Sequence, residues 1–372
     1  MSPYSIMSRM KQIVPLVLLV CLTAPAFAQD SLSEFRAAAE HFEKLGTLFR
    51  QSAERAMPAM VNLRVTQTPP AGSGRSNRSP RTQQEESGSG MIVTIAQKQV
   101  ILTNRHIIGD TERDGIQILT HDRRILTPIK VTSNEDFDLA IIEVAEELSH
   151  VAPFGNSDQV RVGDIVLALG NPFELDRSLS MGIISAVGRR EVPGAGNSAP
   201  LIDFFQTDAA INPGSSGGML LNLRGEVIGV VTAIATQGGG NEGVAFVMPT
   251  NTVLRIAEQL VRKGTVIKPQ IGCSFERAFS QITSSSEERR KLGIDRLVGA
   301  KIQTVYPNTP AEKAGLKTGD VVLKFGNIEV EDHMHVPHLV AQSEIDKPVI
   351  LQINRNGELL NMTVTPQAQL SR

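Results

Sequence analysis

The chain has 372 residues, of which 41% are hydrophobic, and this length and composition fit an ordinary globular protein of two or three domains. Lysine plus arginine (37) nearly equals aspartate plus glutamate (39), so the chain has no basic field to attract the phosphates of a nucleic acid. No glycine-rich phosphate loop with an adjoining lysine is found, and we predict no cofactor.

The N-terminus has the pattern of a secretory signal peptide. A positively charged start, an apolar core at residues 13–22 and small residues before position 29 predict that residues 1–28 are cleaved on export. The alternative is a retained membrane anchor, which is disfavoured because the apolar run is shorter than the ~20 residues of a membrane span. Cleavage would remove Cys21 and leave Cys273 without a partner for an internal disulfide.

Residues 29–56 are predicted to contain an amphipathic helix, because their apolar residues recur mostly at three- and four-residue spacing. These residues are Leu32, Phe35, Ala39, Phe42, Leu45 and Phe49. Their apolar face needs a partner, and packing on the rest of the chain or contact with another subunit would each provide one.

Residues 66–90 are rich in Pro, Gly, Ser, Arg and Gln, and they predict a mobile surface loop. Short apolar runs separated by turn signals follow this segment. Such spacing favours β-barrels over alternating strands and helices.

Three polar residues each border an apolar, strand-like run. His106 follows the run 100–105, Asp138 precedes the run 139–144, and Ser216 lies in the Gly-rich segment 212–218. Singly, the first two are better explained as turn or cap residues, and a Gly-Ser segment can be a linker. Jointly, they predict a nucleophilic serine, a histidine base and an aspartate that orients the histidine.

The C-terminal third is predicted to be a separate, smaller unit. Residues 251–263 have helical periodicity, and Gly264 follows as a C-cap, so this helix is predicted to connect the two parts. From residue 268 onward, strand patterns recur. The last two strands are joined at Asn356-Gly357, which predicts a tight hairpin turn.

A His-x-His-x-x-His cluster at His333, His335 and His338 at first suggests a zinc site. No frame of cysteines or carboxylates accompanies it, and these residues are expected at the surface of the smaller unit. We therefore predict no metal site.

Together, the segments around these residues resemble the HtrA/Deg family of serine proteases. In that family a chymotrypsin-like double β-barrel is followed by one or more PDZ domains. The protease motifs span residues 101–108, 138–144, 169–173, 206–218 and 243–249, and residues 305–322 resemble the core of a PDZ domain. The resemblance covers residues 57–366 and implies a mainly β fold, with a protease domain at 57–263 and a PDZ domain at 268–368.

The family pattern implies that His106 is the general base, Asp138 its orienter and Ser216 the nucleophile. It also implies an oxyanion hole at the backbone of Gly214, Ser215 and Ser216. Three residues depart from the pattern, since Ser215 and Arg105 stand where Asn is common, and Met219 where Pro is common. The Ser215 change bears on activity, because Asn tolerates a positive φ better than Ser does.

By the same resemblance, the PDZ unit captures the C-terminus of a peptide, and Ile271, Gly272 and Cys273 lie where its carboxylate would bind. If Cys273 lines this groove, its oxidation or alkylation would block the peptide, and a small buried thiol is the alternative. The loop 235–243 borders the first substrate pocket in the family, which implies small or medium aliphatic residues before the cleaved bond.

These features predict a periplasmic, ATP-independent serine endopeptidase of unfolded or damaged proteins that is regulated by peptide C-termini. Relatives of this kind form trimers through N-terminal segments, so a homotrimer or a higher oligomer is expected. Two alternatives stay open. One is a protease-like chaperone that does not cleave, and the other is a membrane-tethered stress sensor that cleaves one signalling protein.

Overall fold

The computed structural model describes residues 33–67, 84–171, 178–192, 201–234, 242–280, 287, 289–290 and 298–369. It separates into two compact units, residues 1–51 and residues 52–372. In the first unit, residues 33–51 form helix α1, on which Phe35 and Phe42 are exposed. The predicted signal peptide lies outside the described residues. Among the helices described, none is long and apolar enough to span a membrane.

The second unit begins with helical residues 52–56 and continues with an antiparallel sheet of seven strands. The strands are β1 (Met60–Gln67), β2 (Gln84–Ile95), β3 (Lys98–Thr103), β4 (Ile116–Thr120), β5 (Ile125–Leu126), β6 (Pro128–Asn134) and β7 (Leu139–Val144). Their order in the sheet is β5-β4-β1-β2-β3-β7-β6, and the short helix α2 (Arg105–Ile108) follows β3.

The predicted loop at residues 66–90 is wrong at both ends. Thr66 and Gln67 end β1, and β2 begins at Gln84, so that residues 84–90 are strand residues paired with β1. Residues 68–83 lie outside the described part of the chain. The backbone groups of this Gly- and Ser-rich strand are hydrogen-bonded to β1. Composition alone gives no sign of this partner strand, so it favours a loop.

A second sheet closes into a barrel in the order β10-β13-β12-β11-β8-β9. The strands are β8 (Ile165–Gly170), β9 (Ser178–Arg189), β10 (Phe204–Thr207), β11 (Met219–Leu221), β12 (Val227–Ile234) and β13 (Ala245–Pro249). Its interior is filled by buried aliphatic and aromatic side chains, among them Val166, Ile184, Leu220 and Val247. The fold class predicted from the sequence, mainly β with barrel-forming sheets, is confirmed.

Helix α3 (Thr250–Lys263) follows the barrel as predicted. Its buried residues, Val253, Ile256, Ala257 and Leu260 among them, recur with helical period. Gly264 ends the helix in the left-handed region, with φ at 74°, and its N–H donates to the Leu260 carbonyl. Short 3₁₀ helices lie at Met57–Ala59, Arg113–Gly115, Ser157–Gln159 and Arg277–Ser280.

The C-terminal part forms a smaller sheet with its own core. Its elements are β14 (Pro269–Gln270), β15 (Cys273–Phe275), β16 (Ala300–Val305), α4 (Pro310–Lys313), β17 (Val321–Phe325), β18 (Ile328–Glu329), α5 (His335–Gln342), β19 (Val349–Arg355), β20 (Glu358–Val364) and β21 (Gln367–Ala368). The main sheet runs β15-β16-β17-β19-β20, which leaves β15 at its edge. Asn356 and Gly357, both with positive φ, form the predicted hairpin turn between β19 and β20.

Helix α5 contacts the second barrel through a cluster of charged and polar side chains. Arg190, which is 5% exposed and follows β9, forms ion pairs with Asp203 of the barrel and with Glu331 and Asp332 of the C-terminal part. His338 on α5 lies with Nε2 3.2 Å from the Asp203 carboxylate and Nδ1 3.2 Å from the Leu201 carbonyl oxygen. These residues tie α5 to the segment between β9 and β10.

The expected surface position of the histidines is wrong for two of the three. His335 and His338 are 6% and 4% exposed, because α5 presents them to the barrel. Burial lowers the pKa of His338 to about 4, and the nearby Arg190 charge adds to this effect. Burial and Arg190 also lower the pKa of His335. Both imidazoles are therefore neutral near pH 7.

We expect this cluster to make the stability of the chain depend on pH. The pKa of His338 is lower in the folded chain than its usual value of ~6.5, so the unfolded chain binds more protons and stability falls as pH drops from 6.5 towards 4. At pH 4.5 the loss amounts to about 2–3 kcal/mol from this residue. Urea unfolding of the wild type and of His338→Gln at pH 7.5 and pH 4.5 measures it. An equal loss in both proteins would contradict the assignment.

Candidate active site

His106 and Asp138 are brought together by two adjacent strands. β3 ends three residues before His106 and β7 begins immediately after Asp138, and the two strands pair at Thr103 and Ala140. His106 Nδ1 lies 2.7 Å from one carboxylate oxygen of Asp138, and its backbone N–H donates to the other at 2.8 Å. Because a carboxylate only accepts, Nδ1 carries the proton and Nε2 retains the lone pair of a base.

The backbone of Asp138 is held in an uncommon conformation. Its φ is +48°, in the left-handed region, which Asp occupies more readily than most residues. Its carbonyl accepts hydrogen bonds from the Arg105 N–H at 3.2 Å and from the buried Asn104 side chain at 2.9 Å. The preceding side chain, Phe137, is 1% exposed. These contacts hold the carboxylate in position against the cost of the strained φ.

The segment before Ser216 is a type II turn in the connection between β10 and β11. The Ser215 N–H donates to the Asn212 carbonyl at 2.9 Å, Pro213 occupies the second position, and Gly214 has a φ of +92° at the third. Ser215 is not among the residues with positive φ, and its hydroxyl lies 3.4 Å from the Asn212 N–H. Serine in place of the common asparagine therefore introduces no left-handed strain.

The half-buried Ser216 lies where its loop meets β2 and β3. Its carbonyl accepts from the Ser89 N–H at 2.9 Å, and the next N–H, that of Gly217, donates to the Val231 carbonyl at 2.9 Å. Gly217 has a φ of +79°, and a Cβ built on it would lie 2.5 Å from the Thr103 hydroxyl. The serine loop is thus packed against the strand end that leads to His106.

Within the described residues, Ser216 and His106 are not joined by a hydrogen bond. The N–H groups of Gly214 and Ser216 likewise donate to no protein acceptor in that part of the chain, so both are available to a bound oxyanion. The structure therefore brings His106 and Asp138 into contact and places Ser216 in a loop that packs against β2 and the end of β3.

Sequence reasoning missed two polar residues that support this arrangement. Ser89 and Asn104 are fully buried, and both donate hydrogen bonds to backbone carbonyls of the site, at Gly214 and Asp138 respectively. The prediction of a loop over residues 66–90 gives Ser89 no structural role. A serine between two glycines directly before an apolar run was the available signal.

The predicted carboxylate-binding residues form the turn between β14 and β15. Gly272 has a φ of +80°, and its carbonyl accepts from the Tyr306 N–H at 3.0 Å, while the carbonyl of the buried Ile271 accepts from the Ala311 N–H at 2.8 Å. Cys273 begins β15. Burial raises the pKa of its thiol to about 12, so a reactive thiolate is scarce at neutral pH.

The histidine cluster has no metal-binding geometry in the described residues, where no group of three or more His, Cys, Asp or Glu side chains is arranged around a common point. The rings of His335 and His338 are 6.3 Å apart, and the buried Arg190 cation lies beside them. This positive charge opposes the binding of a cation at the same place.

Two parts of the chain match known protein families. Residues 88–230 match the trypsin-like peptidase domain, and residues 269–365 match the PDZ domain. A relative from Marinomonas sp., described as a probable periplasmic serine endoprotease DegP-like, is 33% identical over 86% of this chain and 71% of its own length. A relative from Chlamydia pneumoniae with the same description is 34% identical over 77% of this chain, which spans 56% of that protein.

Two solved protease structures are also similar to this chain. The HtrA-type protease AlgW, determined with a tripeptide, is 30% identical and has a TM-score of 0.69 over 87% of this chain and 98% of that one. A serine endoprotease from Yersinia pestis is 30% identical with a TM-score of 0.58, over 86% and 98% of the two chains.

Gly217→Ala is expected to destabilise the serine loop strongly. A Cβ at this position would lie 2.0 Å from the Ser89 carbonyl oxygen in addition to requiring a positive φ, and we expect a loss of about 3 kcal/mol or more. Gly264→Ala is the matched control, because it has a similar φ of 74° but no atom within 4 Å, and it should lose about 1–2 kcal/mol. Urea unfolding compares the two, and equal losses would contradict the predicted clash.

Proposed function

Because this chain belongs to the DegP-like family of serine endoproteases, we propose that it is an exported, ATP-independent endopeptidase that hydrolyses unfolded or damaged proteins. The observation that carries this proposal is the 2.7 Å contact between His106 Nδ1 and the Asp138 carboxylate, beside the loop that bears Ser216. This contact leaves the Nε2 lone pair of His106 free to accept a proton.

In the proposed reaction, Ser216 Oγ attacks the carbonyl carbon of the peptide bond while His106 Nε2 accepts its proton. The Asp138 carboxylate stabilises the imidazolium that results, and the N–H groups of Gly214 and Ser216 stabilise the negative oxygen. The imidazolium then protonates the leaving amine, and an acyl-enzyme forms on Ser216. Water, activated by His106, hydrolyses this ester and restores the serine.

For this reaction, Ser216 Oγ and His106 Nε2 must form a hydrogen bond, which is absent within the described residues. Such contacts are often long in a protein without substrate and tighten when substrate binds. The two residues lie on opposite sides of the junction between the first sheet and the second barrel.

We assign the capture of a peptide C-terminus to the smaller domain. β15 is an edge strand, so its outer backbone groups can accept an added peptide strand, as PDZ domains do. Ile271, Gly272 and Cys273 precede or begin this strand and would receive the carboxylate. AlgW was solved with a tripeptide and with a decapeptide, which supports a peptide ligand for this chain.

We also propose that the protein acts in the periplasm as a homotrimer or higher oligomer. Its relatives are described as periplasmic, and the N-terminus has the pattern of a cleaved signal. A membrane-tethered sensor is the competing arrangement. N-terminal sequencing of the mature protein distinguishes them, since a chain that begins at Gln29 retains no anchor.

A chaperone that binds unfolded proteins without cleaving them is a second candidate. It is favoured by one observation, namely that Ser216 is not hydrogen-bonded to His106 within the described residues. A chaperone would suppress aggregation equally well with or without the Ser216 hydroxyl.

The first test of catalysis is hydrolysis of unfolded casein by the mature protein and by Ser216→Ala. We expect cleavage by the wild type and none by the variant. Asp138→Asn should lower kcat by roughly 10⁴-fold, because an amide favours the wrong tautomer of His106. If neither the wild type nor Ser216→Ala cleaves casein but both suppress its aggregation, the chaperone replaces the protease.

The peptide site is tested by the affinity of a fluorescent peptide with an apolar C-terminus. Gly272→Ala should weaken binding at least tenfold, because its Cβ would lie 2.2 Å from Thr309 Cβ at a φ of +80° and would distort the turn. Gly319→Ala is the control, with a φ of +92° but no atom within 4 Å. Equal weakening in both variants would assign the effect to general destabilisation of the domain.

A further inference from the structure

Ser89 is a fully buried serine on β2 that uses its backbone and its side chain to bind the loop of the nucleophile. Its hydroxyl donates to the Gly214 carbonyl at 2.7 Å and accepts from the Asn171 N–H at 2.9 Å. Its N–H donates to the Ser216 carbonyl at 2.9 Å, and its carbonyl accepts from the Thr103 hydroxyl at 2.7 Å. All of its hydrogen-bonding groups are therefore engaged at the site.

These bonds join segments that are distant in the chain. Ser89 and Thr103 belong to the first sheet, whereas Gly214 and Ser216 belong to a loop of the second barrel. Thr103 is the last residue of β3 and lies three residues before His106. Ser89 is thus a direct bridge between the strand that leads to His106 and the loop that contains Ser216.

The hydroxyl of Ser89 acts on one peptide group in particular. The peptide between Gly214 and Ser215 has its carbonyl bound by Ser89 and its N–H bound by the Asn212 carbonyl. Both ends of this peptide are therefore held, and it immediately precedes the Ser216 N–H of the oxyanion hole. The position of the whole type II turn relative to the first sheet follows from these two contacts.

We propose that Ser89 is a positioning residue of the protease site, whose hydroxyl fixes the type II turn of the nucleophile loop against the first sheet. This inference deepens the proposed function and rests on it. Ser89 touches no reacting atom and acts through the placement of Gly214 and Ser216. A displacement of about 1 Å at such a site lowers the rate by roughly 10²-fold.

Ser89→Ala removes the hydroxyl and leaves the Gly214 carbonyl and the Asn171 N–H without that partner. The expected result is a fall of roughly 10²-fold in kcat for casein with KM changed less than threefold, and a similar fall in the labelling rate of Ser216 by a fluorophosphonate. Ser89→Cys keeps a weak donor of similar size and should have an intermediate kcat.

Ser52→Ala is the matched control for stability. Ser52 is also buried, and its hydroxyl donates at 2.6 Å to the backbone carbonyl of Leu223, which follows β11 and is not part of the nucleophile loop. A merely structural role for Ser89 predicts that both alanine variants lose stability and retain the wild-type kcat. That result, or wild-type kcat in Ser89→Ala alone, overturns the proposal.

Hydrogen exchange separates failure of this inference from failure of the proposed protease function. Ser89→Ala should exchange amide protons of residues 206–221 at least tenfold faster than the wild type and Ser52→Ala do. A wild-type protein that neither cleaves casein nor reacts with the fluorophosphonate refutes the protease, and faster exchange would then still support anchoring of the loop by Ser89. Unchanged exchange in Ser89→Ala overturns the anchoring role. If Ser89→Ala does not fold, Ser89→Cys provides the same kinetic and exchange comparison.

Discussion

The need to hydrogen-bond buried backbone groups organises the candidate active site. The loop of Ser216 lies between the first sheet and the second barrel, where an unpaired carbonyl or N–H is costly. Ser89 and Val231 pair with backbone groups of Gly214, Ser216 and Gly217 from opposite sides. Two N–H groups, those of Gly214 and Ser216, are left without a protein acceptor within the described residues. An oxyanion is the partner that would satisfy them.

The same constraint explains the strained aspartate on the other side of the site. Asp138 has a φ of +48°, and this conformation directs its carboxylate to both donors of His106 while its carbonyl accepts from Asn104 and Arg105. Each hydrogen bond is modest in net free energy, about 1 kcal/mol. Together they exceed the cost of one left-handed residue, so the Asp138 carboxylate is held against His106.

Helix α5 links the smaller domain to the barrel by charge. Arg190 is buried among Asp203, Glu331 and Asp332, and the α3 side chain of Arg255 donates to the Ala341 carbonyl at the C-terminal end of α5. Removal of one partner from such a buried ion pair leaves the charge of the other partner uncompensated.

Local patterns in the sequence determined the β fold, helix α3 with its Gly264 cap, the Asn356-Gly357 hairpin, and the positions of His106 and Asp138 beside strand ends. Each of these features depends on residues that are close in the sequence. The strands and the helix follow from the spacing of apolar side chains, and the cap and the hairpin turn follow from residues that adopt a positive φ. Tertiary structure alone decided that the Ser89 hydroxyl binds the Gly214 carbonyl and that His338 is buried beside Asp203 and the Leu201 carbonyl. The bonds from Ser89 to Gly214 and from His338 to Leu201 join residues 125 and 137 positions apart, and no local pattern specifies which distant group will satisfy a buried polar atom.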